Sequence, residues 1–363
     1  MCPLRNVFKP KEGSITSYED FWNWFKMKQQ SFFKAVQQGN NIEQDFFDQL
    51  APKLNELQEG FFYLTGMCDD NTAELIITAE GIVKDFVFVE ELIQSAPKIE
   101  GWKFTALKPA IDLKDVFIEM GGYKFNDENI SFYSNDLDGF PDEIDITVVH
   151  DDLTEENRTT ISNGTYIYLD HYLGELDFVT TIDNLAISGP NEKKVLVPIR
   201  KLKDFLIWRQ KEFIEKYEGI WHDTKNDEHT ALESVLENGD PAFAVINTDL
   251  LQWDSKAAQP WILSVEIKYD GSRNSGLPDT VTSSVLDEIE IDLLKELKDV
   301  DGYLNIGQQT AAGIRTIYFA CKEFRTPSKV LRRIQRSYTD RMEISYDVYK
   351  DKYWRSFDRF RIS

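Results

Sequence analysis

The stretch Ile267–Leu297, IKYDGSRNSGLPDTVTSSVLDEIEIDLLKEL, decides how the chain is read. A strand-like run meets a glycine loop, and the loop opens what reads as a helix. Gly271 and Gly276 stand at the G-x-x-x-x-G spacing of a phosphate-binding loop, so the stretch is either a nucleotide site or a turn. A phosphate loop needs a lysine and a hydroxyl residue directly after its second glycine, to neutralise phosphate and to hold magnesium. Leu277 and Pro278 stand there instead, and Pro278 removes a backbone N–H where such loops donate. The dinucleotide fingerprint G-x-G-x-x-G is absent as well. The turn reading accounts for each position. The glycines permit the bend, Pro278 sets the approach to the helix, and Asp279 caps it. Arg273 is left as an anion-binding candidate near a helix N-terminus, against the ordinary reading of a solvated loop arginine.

Working outward, strands are expected at Ala242–Asn247 and Trp261–Tyr269, then the helix from Asp279 to Leu297. Val281, Val285, Ile289, Leu293 and Leu297 recur every four residues along it. Strands at Tyr303–Gln309 and Ile314–Cys321 flank a TAAG turn; a helix over Pro327–Tyr338, a strand MEISYDVY and an aromatic-basic tail follow. The ββαββαβ order predicts an α+β domain of ferredoxin-like type, with antiparallel or mixed sheets and helices packed on one face.

Upstream, residues 1–16 read as a loose arm, followed by a helical pair. Phe21, Trp24, Phe25, Phe32 and Val36 share one helix face, opened by a capping box of Ser17 and Asp20. Ile42, Phe46, Phe47, Leu50, Leu54 and Leu57 mark a second helix, with a kink or break expected at Pro52 and a stop at Gly60. Strands FFYLTG and AELIITA, a helix ending before Pro97 and a strand GWKFTALKP come next. Further strands are expected at Val116–Phe125, Ile130–Ser134, Ile144–Val149 and Leu176–Thr181. Between the last two lies a helix through Ile161, Tyr168 and Tyr172, weakened by Gly164. A long helix, Pro198–Tyr217, ends at Glu218-Gly219, which sets regions of 1–217 and 218–363.

At 363 residues the chain affords about two domains, and 42% apolar with 13% aromatic residues excludes a disordered chain. With 41 basic and 63 acidic residues the net charge is −22, which repels nucleic acid and anionic membranes and favours basic partners. Cys2, Cys68 and Cys321 are too few and too scattered for a disulfide framework or a metal knuckle, which suits a reducing cytosol. The opening MCPLRNVFKPKEG has no apolar run, so no secretion signal is expected, and no membrane span either.

The segments PAFAVINTDLL, PWILSVEIKYDGSRNSGLPD, GIRTIYFACK and YDVYKDKYW resemble an uncharacterised bacterial family, domain of unknown function 695, over Tyr217–Trp354. FWNWFKMKQQSFFKAV, ELIITAEG and SAPKIEGWKFTALKP are similar to an N-terminal region found with it. The resemblance implies no reaction. Some relatives carry a domain similar to a protein regulator of ribonuclease E, of which there is no clear copy here.

The remaining leads are weighed against plainer readings. His150, His171, His222 and His229 lack the H-x-x-x-H or H-E-x-x-H spacing of a metal helix. DGFPDEIDI and LDEIEIDLL are dense in carboxylates, and solvated faces explain them; no G-x-S-x-G elbow appears. KEFRTPSKVLRRIQRSYTDR is basic in an acidic chain. On a helix, Val330, Leu331, Ile334 and Tyr338 face the core, and Arg332, Arg333 and Arg336 the other side. A solvated face, or pairing with the protein's own acids, is the plain reading; docking of an acidic partner or RNA is the sharper one, with the net charge favouring a protein over RNA. The aromatics of DFWNWF and KYWRSFDRF are read first as core and second as partner surface. The preferred reading is a non-catalytic protein-binding or regulatory protein of the bacterial cytosol, without a cofactor and with nucleic acid disfavoured. The alternative is an enzyme or small-ligand binder built on Trp221, His222, Arg273 and Arg315.

Overall fold

The computed structural model describes residues 13–112, 114, 116–190 and 193–361. Residues 1–12 of the expected arm, Cys2 among them, lie outside that set. The chain divides into two compact units, Met1–Pro109 and Ala110–Ser363. The boundary expected at 217/218 falls inside the second unit, between its two larger sheets.

The first unit orders α1 (Tyr18–Gln38), α2 (Asp48–Leu57), β1 (Phe62–Asp69), β2 (Thr72–Thr78), α3 (Val83–Gln94) and β3 (Trp102–Ala106). Ser17 caps α1 by accepting from the Asp20 N–H, while the Asp20 carboxylate reaches back to Thr16 rather than to the cap residue. Pro52 sits inside α2 without ending it; the irregularity expected there is a π-helical turn at Glu43–Phe47, just upstream. β1 and β2 pair antiparallel, and β2 and β3 parallel through α3. The aromatic run of α1 is core: Phe21, Trp22, Trp24 and Phe25 are buried, with Phe25 edge-on to Trp102 and Phe104.

The second unit begins with a hairpin, β4 (Ile118–Met120) and β5 (Tyr123–Phe125), turning at Gly121-Gly122 inside the segment expected as strand. β6 (Ile130–Asn135), β7 (Asp145–His150), α4 (Arg158–Leu173), α5 (Glu175–Thr181), β8 (Asn184–Ser188), β9 (Val197–Pro198) and α6 (Leu202–Tyr217) follow. The strand expected at Leu176–Thr181 is therefore wrong: the segment is α5, continuing from α4 after Gly174, and the strand is β8, beside β7. Gly164 lies in the middle of α4 for a steric reason. A Cβ there would stand 2.1 Å from the Phe125 ring. His150 is wholly buried; Nε2 donates to the Lys124 carbonyl and Nδ1 accepts from the Asp152 N–H, so it ties a turn together.

The last part carries β10 (His229–Val235), β11 (Pro241–Asn247), α7 (Thr248–Gln252), β12 (Trp261–Lys268), α8 (Thr280–Glu296), β13 (Tyr303–Ala311), β14 (Ile314–Cys321), α9 (Arg325–Tyr338) and β15 (Glu343–Lys350). They form one six-stranded sheet in the order β10-β11-β13-β14-β12-β15, antiparallel throughout. The expected strands and helices from β11 onward are present in an α+β arrangement, with α7 and β10 added to them. Leu263, Val265, Ile267, Ile317 and Phe319 point to one face, where Leu286, Ile289 and Leu293 of α8 and Val330, Leu331 and Ile334 of α9 are buried. Val281 is the exception to the expected stripe, at 75% exposure; Leu286 takes a core place instead. The opposite face, with Ile246, Ile262, Leu304, Ile306 and Tyr318, is covered by Trp354, Phe357 and Phe360 of the tail, so the tail aromatics are core.

A buried ionic joint fixes this sheet to the four-stranded one, β8-β7-β6-β9. Asp183 takes Lys350 on one oxygen and Lys352 on the other, each at 2.7 Å. Lys350 also donates to the Thr180 carbonyl and Lys352 to that of Asp142. Beside them Arg355 pairs with Glu143, and the Asp142 carboxylate collects Lys216 and the hydroxyls of Tyr217 and Tyr353. Burial works against the Asp142 charge, yet these donors hold its carboxyl below the usual range. Four cations face three carboxylates in the joint, so one positive charge is in surplus. Burial lowers the Lys350 ammonium to about 8; Asp183 opposes the shift and Lys352 adds to it.

Two outcomes follow for stability. Gly164→Ala should destabilise by about 1–3 kcal/mol through overpacking against Phe125, against the gain of about 1 kcal/mol that alanine brings to a helix interior; urea denaturation reads the sign. Lys350 has its own signature. Unfolded, it keeps its proton to 10.5, whereas folded it sheds it near 8, so the unfolded state binds more protons in between. Stability should rise by about 2–3 kcal/mol from pH 8 to 10 and lose that rise in Lys350→Met. Above pH 10, Tyr217 and Tyr353, pushed up by burial and by Asp142, hold protons the unfolded chain releases and reverse the slope. Urea titrations at pH 8, 9 and 10 on both proteins test it; parallel profiles would refute the assignment.

Candidate functional site

The glycine loop between β12 and α8 folds on itself. The N–H groups of Asn274 and Gly276 both donate to the Gly271 carbonyl, and that of Leu277 donates to the Asn274 carbonyl. The Gly276 carbonyl accepts from the Gly313 N–H at 2.8 Å and from the Tyr269 hydroxyl at 2.9 Å, which locks the loop to the β13–β14 turn. A Cβ on Gly271 would meet Gly276 backbone at 2.7 Å, and one on Gly276, at φ +80°, would meet Ala312 backbone at 2.9 Å. Close backbone approach therefore explains both glycines. Asp279 caps α8 by accepting from the Thr282 N–H. Outside the loop lies an open hollow of about 560 Å³, lined by Asp240, Tyr269, Asp270, Arg273 and Gly313. Asp270 accepts from Ser272, which holds its carboxyl below the usual range.

The four residues of the alternative reading are not gathered. His222 Nε2 lies 2.8 Å from Asp227, whose same oxygen accepts from Asn247, and the ring leans on Trp253. Asn247 in turn caps α7. Trp221 beside it is 56% exposed. The β10–β11 register places Asn247 at one end of the sheet and Pro241, next to the Arg273 hollow, at the other. They are the two ends of a seven-residue strand, about 20 Å apart. Arg315 is buried on the helix face of β14, bonded to Asp287 of α8 at 2.8 Å and to Thr310 at 3.2 Å. Among the described residues no group of three or more His, Cys, Asp and Glu is placed to hold a metal ion.

Arg333 and Tyr338 of α9, with Arg341 just beyond its end, lie against an acidic flank of α8. Arg341 forks onto Glu288, the Tyr338 hydroxyl donates to Asp292, and Arg333 pairs with Glu296. The bond from Arg341 holds the Glu288 carboxyl below its usual range. Arg336 is exposed and Arg332 half-buried.

The other flank of α8 carries Asp287, Glu290 and Leu294, which lie within one helical quadrant at 100° per residue. Since Asp287 reaches Arg315 and, through it, Thr310 of β13, this flank faces β13 and the strands beyond it. Those strands are β11 and β10, and their side chains on this face are exposed: Phe243 39%, Val245 40% and Val235 70%. Burial raises the half-buried Glu290 carboxyl, Arg315 counteracts and Asp287 adds. Sequence reading missed this surface with β10. Its signal was PAFAVIN, a strand apolar on both faces, for which only one cover exists.

An all-antiparallel six-stranded sheet between two helices and an aromatic tail defines the C-terminal part as an α+β domain. Residues 234–360 match the sequence model of a family described as "Family of unknown function (DUF695)", so the C-terminal part of the chain carries that domain. No curated protein and no solved structure matches the chain.

The structural account of the loop has its own test. Gly276→Ala should cost about 1–3 kcal/mol from the positive φ and the contact with Ala312, while Arg273→Ala should stay within about 0.5 kcal/mol. Denaturation midpoints of the two variants check this.

Proposed function

We propose that this protein is a non-catalytic protein-binding or regulatory module of the bacterial cytosol, and that its partner is a protein carrying positive charge. The observation that carries the reading is the apolar face of β10–β11, with Val235, Phe243 and Val245 exposed in a chain of net charge −22. Large exposed apolar surface rimmed by charge is the usual mark of a docking site. The arginines of α9 are the second surface; Arg336 projects from it, whereas Arg333 already neutralises Glu296. No helix among the described residues is long and apolar enough to cross a membrane. Cys68 is a free exposed thiol and Cys321 a free buried one, as a reducing compartment allows. The hollow around Arg273 supports a second reading, a small-ligand site in the C-terminal domain.

In-cell photo-crosslinking with the reactive residue placed at Val245, and separately at Arg336, decides between surfaces. A discrete protein adduct from Val245 is expected. Adducts from neither position would sink the binding reading.

A further inference from the structure

The helix layer of the six-stranded sheet is incomplete in a measurable way. α9 lies over β15, since Gln335 donates to the Ile344 carbonyl and the Tyr346 hydroxyl to that of Ser328. α8 lies over β14 and β13, through Asp287, Arg315 and Thr310. Two helices thus cover four strands. Strands lie about 4.8 Å apart and packed helices about 8–10 Å apart, so the uncovered pair β10–β11 leaves room for one more helix. The floor of that slot is Phe243 and Val245, with Ala231 opposite Val245 on β10 and Val235 at the strand's end, opposite Pro241. Its wall is Leu294 and Glu290 of α8, and Glu233 stands on its floor across from Phe243. Apolar floor and carboxylates together call for an amphipathic occupant with basic flanks.

We infer that the slot between α8 and β10–β11 takes an amphipathic α-helix of a partner protein, its apolar stripe on Phe243 and Val245 and its lysines or arginines beside Glu290 and Glu233. This rests on the binding reading above and names the site and the partner's chemistry. A helix matches the vacancy in width and completes the layer that α8 and α9 begin. A second copy of this chain is disfavoured, because a two-fold contact would set Glu290 and Glu233 against an equally acidic surface.

The test uses the full chain and labelled synthetic peptides of about 18 residues. One has leucines at i, i+3, i+4 and i+7 and lysines between; a second has the same composition scrambled, and a third has glutamate for lysine. Fluorescence anisotropy should give saturable binding of the first at least tenfold tighter than either other. Val245→Lys should abolish that preference with unchanged circular dichroism, and Glu290→Lys should weaken binding severalfold. Equal binding of the scrambled peptide, or an unaffected Val245→Lys, would overturn the inference, as would a wild-type dimer that Val245→Lys makes monomeric. If the peptide fails while Val245 still crosslinks to a partner in cells, the helix is wrong and the binding reading stands; loss of both removes both.

Discussion

One carboxylate, that of Asp183, holds two lysines that arrive from the end of the six-stranded sheet, and the second unit depends on that grip. Removing it would leave two buried cations without a counter-charge, the circumstance in which broken ion pairs cost most. Lys350 ends β15, which is at once the outer partner of β12 and the strand on which α9 packs. Lys352 begins the turn into the tail that carries Trp354, Phe357 and Phe360 to the far face of the sheet. The same few residues thus set the angle between two sheets, align an edge strand and deliver the last core side chains. Lysines in such a place trade stability for definition: apolar residues would pack as well, but they would not fix the register of a strand end.

The two faces of the larger sheet are closed by different means. One has two helices joined by the ladder Glu288–Arg341, Asp292–Tyr338 and Glu296–Arg333, its first rung made from the turn after α9. The other has the aromatic tail, joined by Leu250 and Leu251 of α7. Because the ladder uses one flank of α8, the charges on its opposite flank look outward over β11 and β10. The surface assigned to a partner is therefore a by-product of how the helix pair is held together.

Much of this was legible in the sequence, and the failures have physical causes. From Ala242 onward, α7 apart, each strand and helix lies where alternation or four-residue spacing puts it. β10 was missed because HTALESV is a half-exposed edge strand with few β-branched residues to mark it. LDFVTT alternates like a strand, but the chain leaves Gly174 directly into a helix there, and tertiary context overrides the pattern. Gly164 was read as a weakness in a helix; its cause, the Phe125 ring, is close only in space. The site residues show the same limit. Arg315 was singled out beside a loop, yet its partner is Asp287 on a facing helix. Pairing of the α9 arginines with the protein's own acids was expected, but not with which acids, because Glu296, the partner of Arg333, lies a whole hairpin earlier.

Strand β12, WILSVEIK, has a further consequence. Its Trp261, Leu263, Val265 and Ile267 make one face apolar, and neither of its neighbours, Ile314–Cys321 and Glu343–Lys350, precedes it in the chain. On a ribosome it must wait, for seconds at ordinary speeds of translation, before anything can pair with it. Through that interval it is a sticky bare ribbon.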